Sequence, residues 1–178
     1  MLQGEVVNLR AIERSDATSI HRWLDDPELM RWWGYGVRAV SLASVQEHIE
    51  QWIGDERAFG HPVAFVIEAL SGDPIGMMIL SDVHATDRGA ELSCFLQAGS
   101  RNQGFGKDAL ETVVEAAFAH WNYHRLTARC EAANERAHAF FTAGGFQLEG
   151  RLRDARFVDG AWDDILVFGR IRQEETSP

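Results

Sequence analysis

The sequence predicts a single α/β (α+β) domain built on a mixed, mostly antiparallel sheet of seven strands with about four helices. Three observations support this prediction. Strand patterns joined by short turns follow one another over residues 63–97, which indicates an antiparallel meander. A glycine-rich turn and the strongest helical pattern then separate two strand patterns, which indicates one βαβ crossover. Asp159-Gly160 joins the last two strand patterns, which indicates a closing hairpin.

The N-terminal third of the chain is predicted to hold one strand and two helices. In order, the elements are a strand over residues 5–10, a helix over 17–24, a loop over 30–36 and a helix over about 41–54. Ser15 and Asp16 are suitable N-caps for the first helix, and Asp25-Asp26-Pro27 is expected to end it. Ser41 or Ser44 is expected to begin the second helix.

The middle of the chain holds the meander and the crossover. The predicted elements are strands over residues 63–70, 75–83 and 90–97, a helix after the glycine turn with an apolar stripe from Leu110 to Trp121, and a strand over 124–131. Apolar residues of that helix recur with the helical period of 3.6 residues. Alternation along residues 90–97 places Leu92, Cys94 and Leu96 on one face of the sheet, and Glu91 on the opposite face.

The last part of the chain is predicted to form a short helix and a hairpin. Asn134 can N-cap the helix, and Gly144-Gly145 would end it. Strands near residues 152–158 and 162–168 flank Asp159-Gly160. We expect one domain over residues 1–172 and a disordered C-terminal tail over 173–178.

The composition is that of an acidic globular protein. Lys and Arg number 17 against 27 Asp and Glu, and the formal net charge of −10 disfavours sequence-independent binding to nucleic acid. This charge fits a cationic partner, or simply a soluble surface. No signal-peptide pattern or membrane-spanning apolar run occurs, so we expect a cytoplasmic protein, without a membrane partner, whose Cys94 and Cys130 are reduced. Without a C-x-x-C or H-E-x-x-H motif, no metal site is predicted.

The stretch SRNQGFGKDAL, residues 100–110, opens the strongest helix and could cradle a phosphate group. A Walker A loop is excluded, because Phe105 stands where the lysine is required and Lys107 comes two residues late. Gly104, Gly106 and Ala109 fit the spacing of a dinucleotide fingerprint. The meander before the turn, and the single helix and hairpin at the end of the chain, do not complete a dinucleotide-binding fold.

A third interpretation depends on Arg101, because Arg101-x-x-Gly104-x-Gly106 fits the pattern Q/R-x-x-G-x-G/A. This pattern resembles the acetyl-CoA signature of the GNAT superfamily of N-acetyltransferases. Three further segments resemble the RimJ/RimL-like branch of that superfamily, in order and over most of the chain. They are VVNLRAIERSDATSI, AELSCFL and HRLTARCEAANERAHAFFTAGGFQLEGRLRD.

The resemblance implies a single GNAT-type domain that acetylates a primary amine, with acetyl-CoA as co-substrate and no metal. The amine would attack the thioester directly in a ternary complex. Acceptors in this branch include small amines, polyamines and protein N-termini, and the net charge of −10 favours a cationic acceptor. The alternative is a catalytically silent CoA-binding or regulatory domain. A homodimer is an open option.

The resemblance also implies which residues bind the donor. The strands that flank the crossover would separate, so that the pantetheine arm pairs with a free strand edge. The backbone N–H near Leu96 would polarise the thioester carbonyl. The remaining expected donor-binding residues are Arg101, Asn102, Gln103, Gly104, Phe105, Gly106 and Lys107 around the pyrophosphate, and Asn134. Asn134 could instead be a plain N-cap, or serve in both roles.

The acid–base and acceptor residues are less well specified by the resemblance. Glu91 matches the strand glutamate of the branch and is the expected base, directly or through water, unless it only bonds neighbouring strands. Phe141 stands where many members carry a tyrosine that protonates the leaving thiolate. Trp32, Trp33 and Tyr35 are expected to line the acceptor pocket, unless Trp32 or Trp33 only packs on the core or in a dimer contact.

Overall fold

A mixed sheet runs through the centre of the computed structural model, which describes residues 1–33 and 39–172. Its eight strands are β1 (Leu2–Gln3), β2 (Val7–Ala11), β3 (Ala64–Ala69), β4 (Pro74–His84), β5 (Gly89–Leu96), β6 (Arg125–Glu131), β7 (Gln147–Val158) and β8 (Ala161–Ile171). They lie in the order β1-β2-β3-β4-β5-β6-β8-β7. Only β5 and β6 pair in parallel among these described strands, which confirms the predicted mixed sheet with one crossover.

Five α-helices of the described chain cover the two faces of the sheet. They are α1 (Ala17–Trp23), α2 (Pro27–Trp32), α3 (Leu42–Phe59), α4 (Phe105–Glu115) and α5 (Glu135–Ala143). A π-helical turn, Ala116–His120, follows α4. One core lies between α1–α3 and the sheet, and a second lies between α4, α5 and the opposite face.

Strand β5 contributes to both cores because successive residues of a strand point to opposite faces. Ala90 and Leu92 are buried in the core beneath α4 and α5. Phe95 is buried in the other core, beneath α1–α3. The predicted alternation over residues 90–97 is therefore confirmed, and Glu91 lies on the face that α1–α3 cover.

Two elements differ from the predicted count of seven strands and four helices. β1 has only two residues, too few to show alternation in a sequence. α2 begins at Pro27, where we expected a helix to end. The Asp26 carboxylate accepts a hydrogen bond of 2.9 Å from the N–H of Glu28, and proline occupies the first turn, so this segment has the features of a helix start.

Several predicted boundaries are also wrong. The loop predicted over residues 30–36 is helical up to Trp32, while Tyr35 lies outside the described residues. α3 continues past Gly54 to Phe59, and β7 begins five residues before the predicted Leu152. The hairpin itself is confirmed, since Asp159 and Gly160 both have positive φ angles, as a two-residue turn of this kind requires. The predicted tail over residues 173–178 lies outside the described chain.

Strands β5 and β6 separate soon after they meet. Their paired residues are Gly89 with Arg125, Ala90 with Leu126 and Glu91 with Thr127. Beyond these pairs β5 continues to Leu96 and β6 continues to Glu131 without bonding to each other. The sheet thus has a gap between two of its central strands.

Candidate active site

The separation of β5 and β6 opens a cleft of about 1020 Å³. Its walls come from α2, α3 and α5, from strands β4–β8, and from the loop before α4. A volume of this size is sufficient for a small-molecule ligand. The cleft brings residues from both faces of the sheet to one place.

The loop before α4 presents free backbone N–H groups at one end of the cleft. Asn102 and Gly104 have φ angles of 61° and 86°, and left-handed residues of this kind turn neighbouring N–H groups to one side. In the described part of the chain, the N–H groups of residues 102–107 have no acceptor, whereas the next one, of Asp108, donates to Gly104 at 3.1 Å. Free N–H groups at a helix N-terminus favour an anionic ligand.

Not every side chain of this loop faces the cleft. Asn102 and Lys107 line it, together with the backbone of Gly104 and Gly106. The Gln103 side chain donates instead to the carbonyl of Gly99 at 2.7 Å. Phe105 packs partly buried against the core. Gln103 and Phe105 can therefore contribute through their N–H groups, but their side chains point elsewhere.

The side chain of Arg101 is fully engaged with the protein. Its Nε donates to the carbonyl of Leu96 at 3.0 Å, and its two terminal nitrogens donate to Asp26 and Glu28 of the α2 start at 2.7 Å each. The side chain lines the cleft but is only 13% exposed. Its geometry therefore ties the donor loop to the end of β5 and to α2, rather than presenting a free cation to the cleft.

The edge of β5 along the gap has unpaired backbone groups. The N–H of Gln97 donates to the carbonyl of Ile75 at 2.9 Å, so Gln97 is directed toward the β4 side. Because alternate residues of an antiparallel strand direct their backbone groups to opposite sides, the N–H of Leu96 and that of Cys94 point into the cleft. The Leu96 carbonyl is occupied by Arg101, which leaves its N–H as the free donor.

Asn134 lies at the cleft and caps α5. Its side-chain oxygen accepts a hydrogen bond of 3.1 Å from the N–H of Ala137. The side-chain amino group has no acceptor within the described residues, so the N-cap role leaves a donor available for a ligand. The structure thus permits both roles that the sequence left open.

Glu91 lines the cleft on the face opposite α4 and α5. One carboxylate oxygen lies 3.1 Å from Nε of Arg129 on β6. Burial raises the pKa of the Glu91 carboxyl, Arg129 opposes this shift, and Asp82 adds to it, so the net direction is upward. A carboxylate with a raised pKa is better matched to accepting a proton near neutral pH than an ordinary one.

Aromatic side chains form the wall next to Glu91. Trp33 packs edge-on against Phe95 with ring centroids 4.7 Å apart, and it also lines the cleft. α3 adds Trp52 and His48 to this wall, and the sequence marked neither as a site residue because neither belongs to a recognised motif. Nδ1 of His48 lies 2.7 Å from the carbonyl of Ser44, within hydrogen-bond distance.

On the opposite wall of the cleft, the described side chains near Phe141 include no evident acid that could protonate a leaving thiolate. Phe141 is buried and packs against Phe146 and Phe168, so this position serves the core. Cys94 and Cys130 also line the cleft as free thiols. Burial raises the pKa of Cys94 to about 12 and that of Cys130 to about 11. Both thiols therefore stay protonated at neutral pH and are poor nucleophiles.

Glu131 and Arg156 were also missed by sequence reasoning. Glu131 is the last residue of β6 and is 3% exposed, yet it lines the cleft. Its Oε1 lies 3.0 Å from Nε of Arg156 on β7. A charged residue that ends a strand carries no sequence signal for burial, because the partner comes from a hairpin 25 residues later in the chain.

Within residues 1–33 and 39–172, no group of three or more His, Cys, Asp or Glu is placed to hold a metal ion. None of the helices in the same residues is long and apolar enough to cross a membrane.

Comparison with known proteins gives a family model and several relatives. Residues 7–147 match the model of the acetyltransferase (GNAT) domain. The spermidine N(1)-acetyltransferase of Vibrio cholerae is 25% identical over 161 residues, which cover 89% of each chain.

Two solved structures share the fold. The spermidine N-acetyltransferase of Vibrio cholerae in complex with CoA and spermine superposes with a TM-score of 0.83 at 23% identity, covering 93% of this chain and 95% of that one. Mycobacterium smegmatis RimJ in complex with CoA-disulfide gives a TM-score of 0.82 at 24% identity, covering 96% and 84%. At these identities the superpositions show the fold alone, and the family model shows the membership. The chain belongs to the acetyltransferase (GNAT) family, as an N-acetyltransferase with acetyl-CoA as its co-substrate.

Proposed function

We propose that the chain transfers the acetyl group of acetyl-CoA directly to a primary amine bound in the same cleft. The observation that carries this proposal is the continuity of the cleft. Free N–H groups of residues 102–107 lie at one end, the unpaired edge of β5 follows, and the Glu91 carboxylate lies beyond it. Donor and acceptor can therefore be held together without a covalent enzyme intermediate.

Donor binding is supported by the chemistry of the loop and the strand edge. The pyrophosphate is an anion, and the N–H groups of residues 102–107 would take it at the N-terminus of α4. The pantetheine arm contains amides, and these would pair with the free edge of β5 near Leu96. Asn134 would donate from its side-chain amino group. Arg101 acts in this proposal as a positioning residue that fixes the loop.

The reaction needs a polarised carbonyl and a neutral amine. The N–H groups of β5 that point into the cleft would donate to the thioester oxygen, which gains negative charge as the amine attacks. Glu91 would accept the proton that the attacking nitrogen loses, directly or through water. The carbon–sulfur bond then breaks, and CoA leaves as a thiolate. With Phe141 at the usual place of a tyrosine acid, the thiolate takes its proton from solvent.

The acceptor is a primary amine, either a small molecule or a protein N-terminus. Relatives are named as spermidine acetyltransferases and as a ribosomal-protein-serine acetyltransferase, so both acceptor types occur among them. The aromatic wall with Trp33 supports an amine with a positively charged group nearby, since cations bind the faces of aromatic rings. The contribution of Tyr35 to the acceptor pocket stays a prediction from the sequence, since Tyr35 lies outside the described residues.

The test is acetyl-CoA turnover with a panel of amines, measured as release of free CoA thiol. The panel contains linear monoamines, linear diamines, spermidine and a peptide with a free N-terminus. We expect thiol release that depends on an amine, and no acetylated protein by intact mass when the amine is omitted. Binding of acetyl-CoA without thiol release for any amine would establish the alternative, a silent CoA-binding domain.

A further inference from the structure

The carboxylate of Glu131 is buried but not satisfied. The side chain is 3% exposed, and Oε1 accepts no hydrogen bond from any described residue. Arg156 brings Nε to 3.0 Å from Oε1, but the N–H is not aligned with the oxygen, so the contact is an ion pair without a hydrogen bond. A buried charged acceptor that makes no hydrogen bond is costly, because it has lost its water without gaining a partner.

The surroundings of Glu131 do not fully compensate the negative charge of its carboxylate. Burial raises the pKa of Glu131, and its own backbone N–H and Arg156 offset this only in part. The negative charge of Asp163 on β8 acts in the same direction as burial. The site therefore favours an additional positive hydrogen-bond donor.

Glu131 faces the same side of the cleft as the proposed base. Residues 127, 129 and 131 of β6 share one face because the strand alternates, and Arg129 on that face pairs with Glu91. Thr127 lies level with Glu91, so Glu131 lies four residues, or roughly 13 Å of strand, further toward the open end of the gap. The carboxylates of Glu91 and Glu131 thus lie on the same face of the sheet, at two positions along the cleft.

We infer that Glu131 binds a second, positively charged group of the acceptor, while the reacting nitrogen lies at Glu91. The acceptor class is then an amine that carries a second ammonium group. This inference rests on the proposed function, since it assigns the acceptor part of the same cleft. Arg156 already pairs with Oε1 and would compete with such a group.

The test compares linear diamines of increasing length with matched linear monoamines as acceptors. We expect Glu131→Gln to raise the KM for the preferred diamine about ten- to hundredfold, which corresponds to loss of one charged hydrogen bond. The KM for monoamines and for acetyl-CoA should change less than about twofold, and kcat should change little. We expect Arg156→Gln to lower the KM for the diamine, measured at a pH where Glu131 is ionised.

The two variants separate binding from a structural role by the sign of their effects. If Glu131 only anchors Arg156, both substitutions break the same pair and both raise KM for every amine, and the inference is overturned. Equal KM values for diamines in wild type and Glu131→Gln also overturn it. If Glu131→Gln does not fold, the direction in which Arg156→Gln changes the KM for the diamine still distinguishes a binding role of Glu131 from a structural one. Wild-type turnover of no amine at all would instead refute the proposed function.

Discussion

Replacement of Arg101 by methionine tests whether the signature arginine positions the loop or binds the donor. Its side chain is 13% exposed, and the guanidinium donates to Leu96, Asp26 and Glu28. In partly buried surroundings a hydrogen bond involving a charged group contributes about 1.5–3 kcal/mol, whereas an exposed ion pair adds at most about 1 kcal/mol. We expect Arg101→Met to lower the free energy of unfolding by about 2–3 kcal/mol and the Tm by about 5–10 °C.

The assay pairs thermal unfolding with calorimetric titration of CoA and of pantetheine, which lacks the phosphates. If Arg101 positions the loop, Arg101→Met should weaken the binding of CoA and of pantetheine by less than about tenfold each. Arg101→Lys should unfold at a temperature between those of wild type and Arg101→Met, because a lysine cannot reach all three acceptors. An unchanged Tm, together with a hundredfold loss for CoA but none for pantetheine, would refute this reasoning. That result would mean that the guanidinium leaves Asp26 and Glu28 to bind pyrophosphate.

Three further predictions concern the cleft. Glu91→Gln should lower kcat about 10²–10⁴-fold, leave the KM for acetyl-CoA unchanged, and abolish the acidic limb of the pH–rate profile. An acidic limb that persists in this variant would show that Glu91 is not the base. Gly104 has φ = 86°, so Gly104→Ala should lower the free energy of unfolding by about 1–2 kcal/mol and raise the KM for acetyl-CoA. The matched control is Gly60→Ala, at φ = 75° outside the cleft, which should destabilise the protein without changing that KM. Burial raises the pKa of Glu131 above its ordinary 4.5, so its contribution to stability is fully present below pH 4.5 and is lost as the pH rises through the folded pKa. The glutamine in Glu131→Gln does not titrate, so the Tm of the variant minus that of wild type should rise from pH 4 to pH 8. A Tm difference that stays constant over this range would contradict a raised pKa of Glu131.

The fold was predictable where a local pattern decides the local structure. Alternation placed Glu91 on the correct face of β5, and Asp159-Gly160 marked the hairpin, because both depend only on neighbouring residues. The start of α2 was misjudged, since Asp26-Pro27 can follow one helix and also cap the next.

The site was predictable only in part, because side-chain partners come from distant segments. The sequence motif marked the turn with its left-handed residues Asn102 and Gly104. It did not show that the Arg101 side chain is turned toward α2, 73 residues away at Glu28. It also gave no reason to bury Glu131, whose burial depends on a strand contributed by the closing hairpin. Pairings of this kind depend on tertiary packing and leave no local pattern.

The gap between β5 and β6 also divides the backbone hydrogen bonds of the sheet into two units. Strands β1–β5 form one unit and β6–β8 the other, and the described backbone bonds between them lie at the base of the gap, at the three residue pairs and the adjoining carbonyl of Arg88. A donor that pairs with the β5 edge would lengthen this junction. We therefore expect CoA to slow amide hydrogen exchange beyond the residues that it touches, across both units, so that the donor stiffens the enzyme before any acceptor arrives.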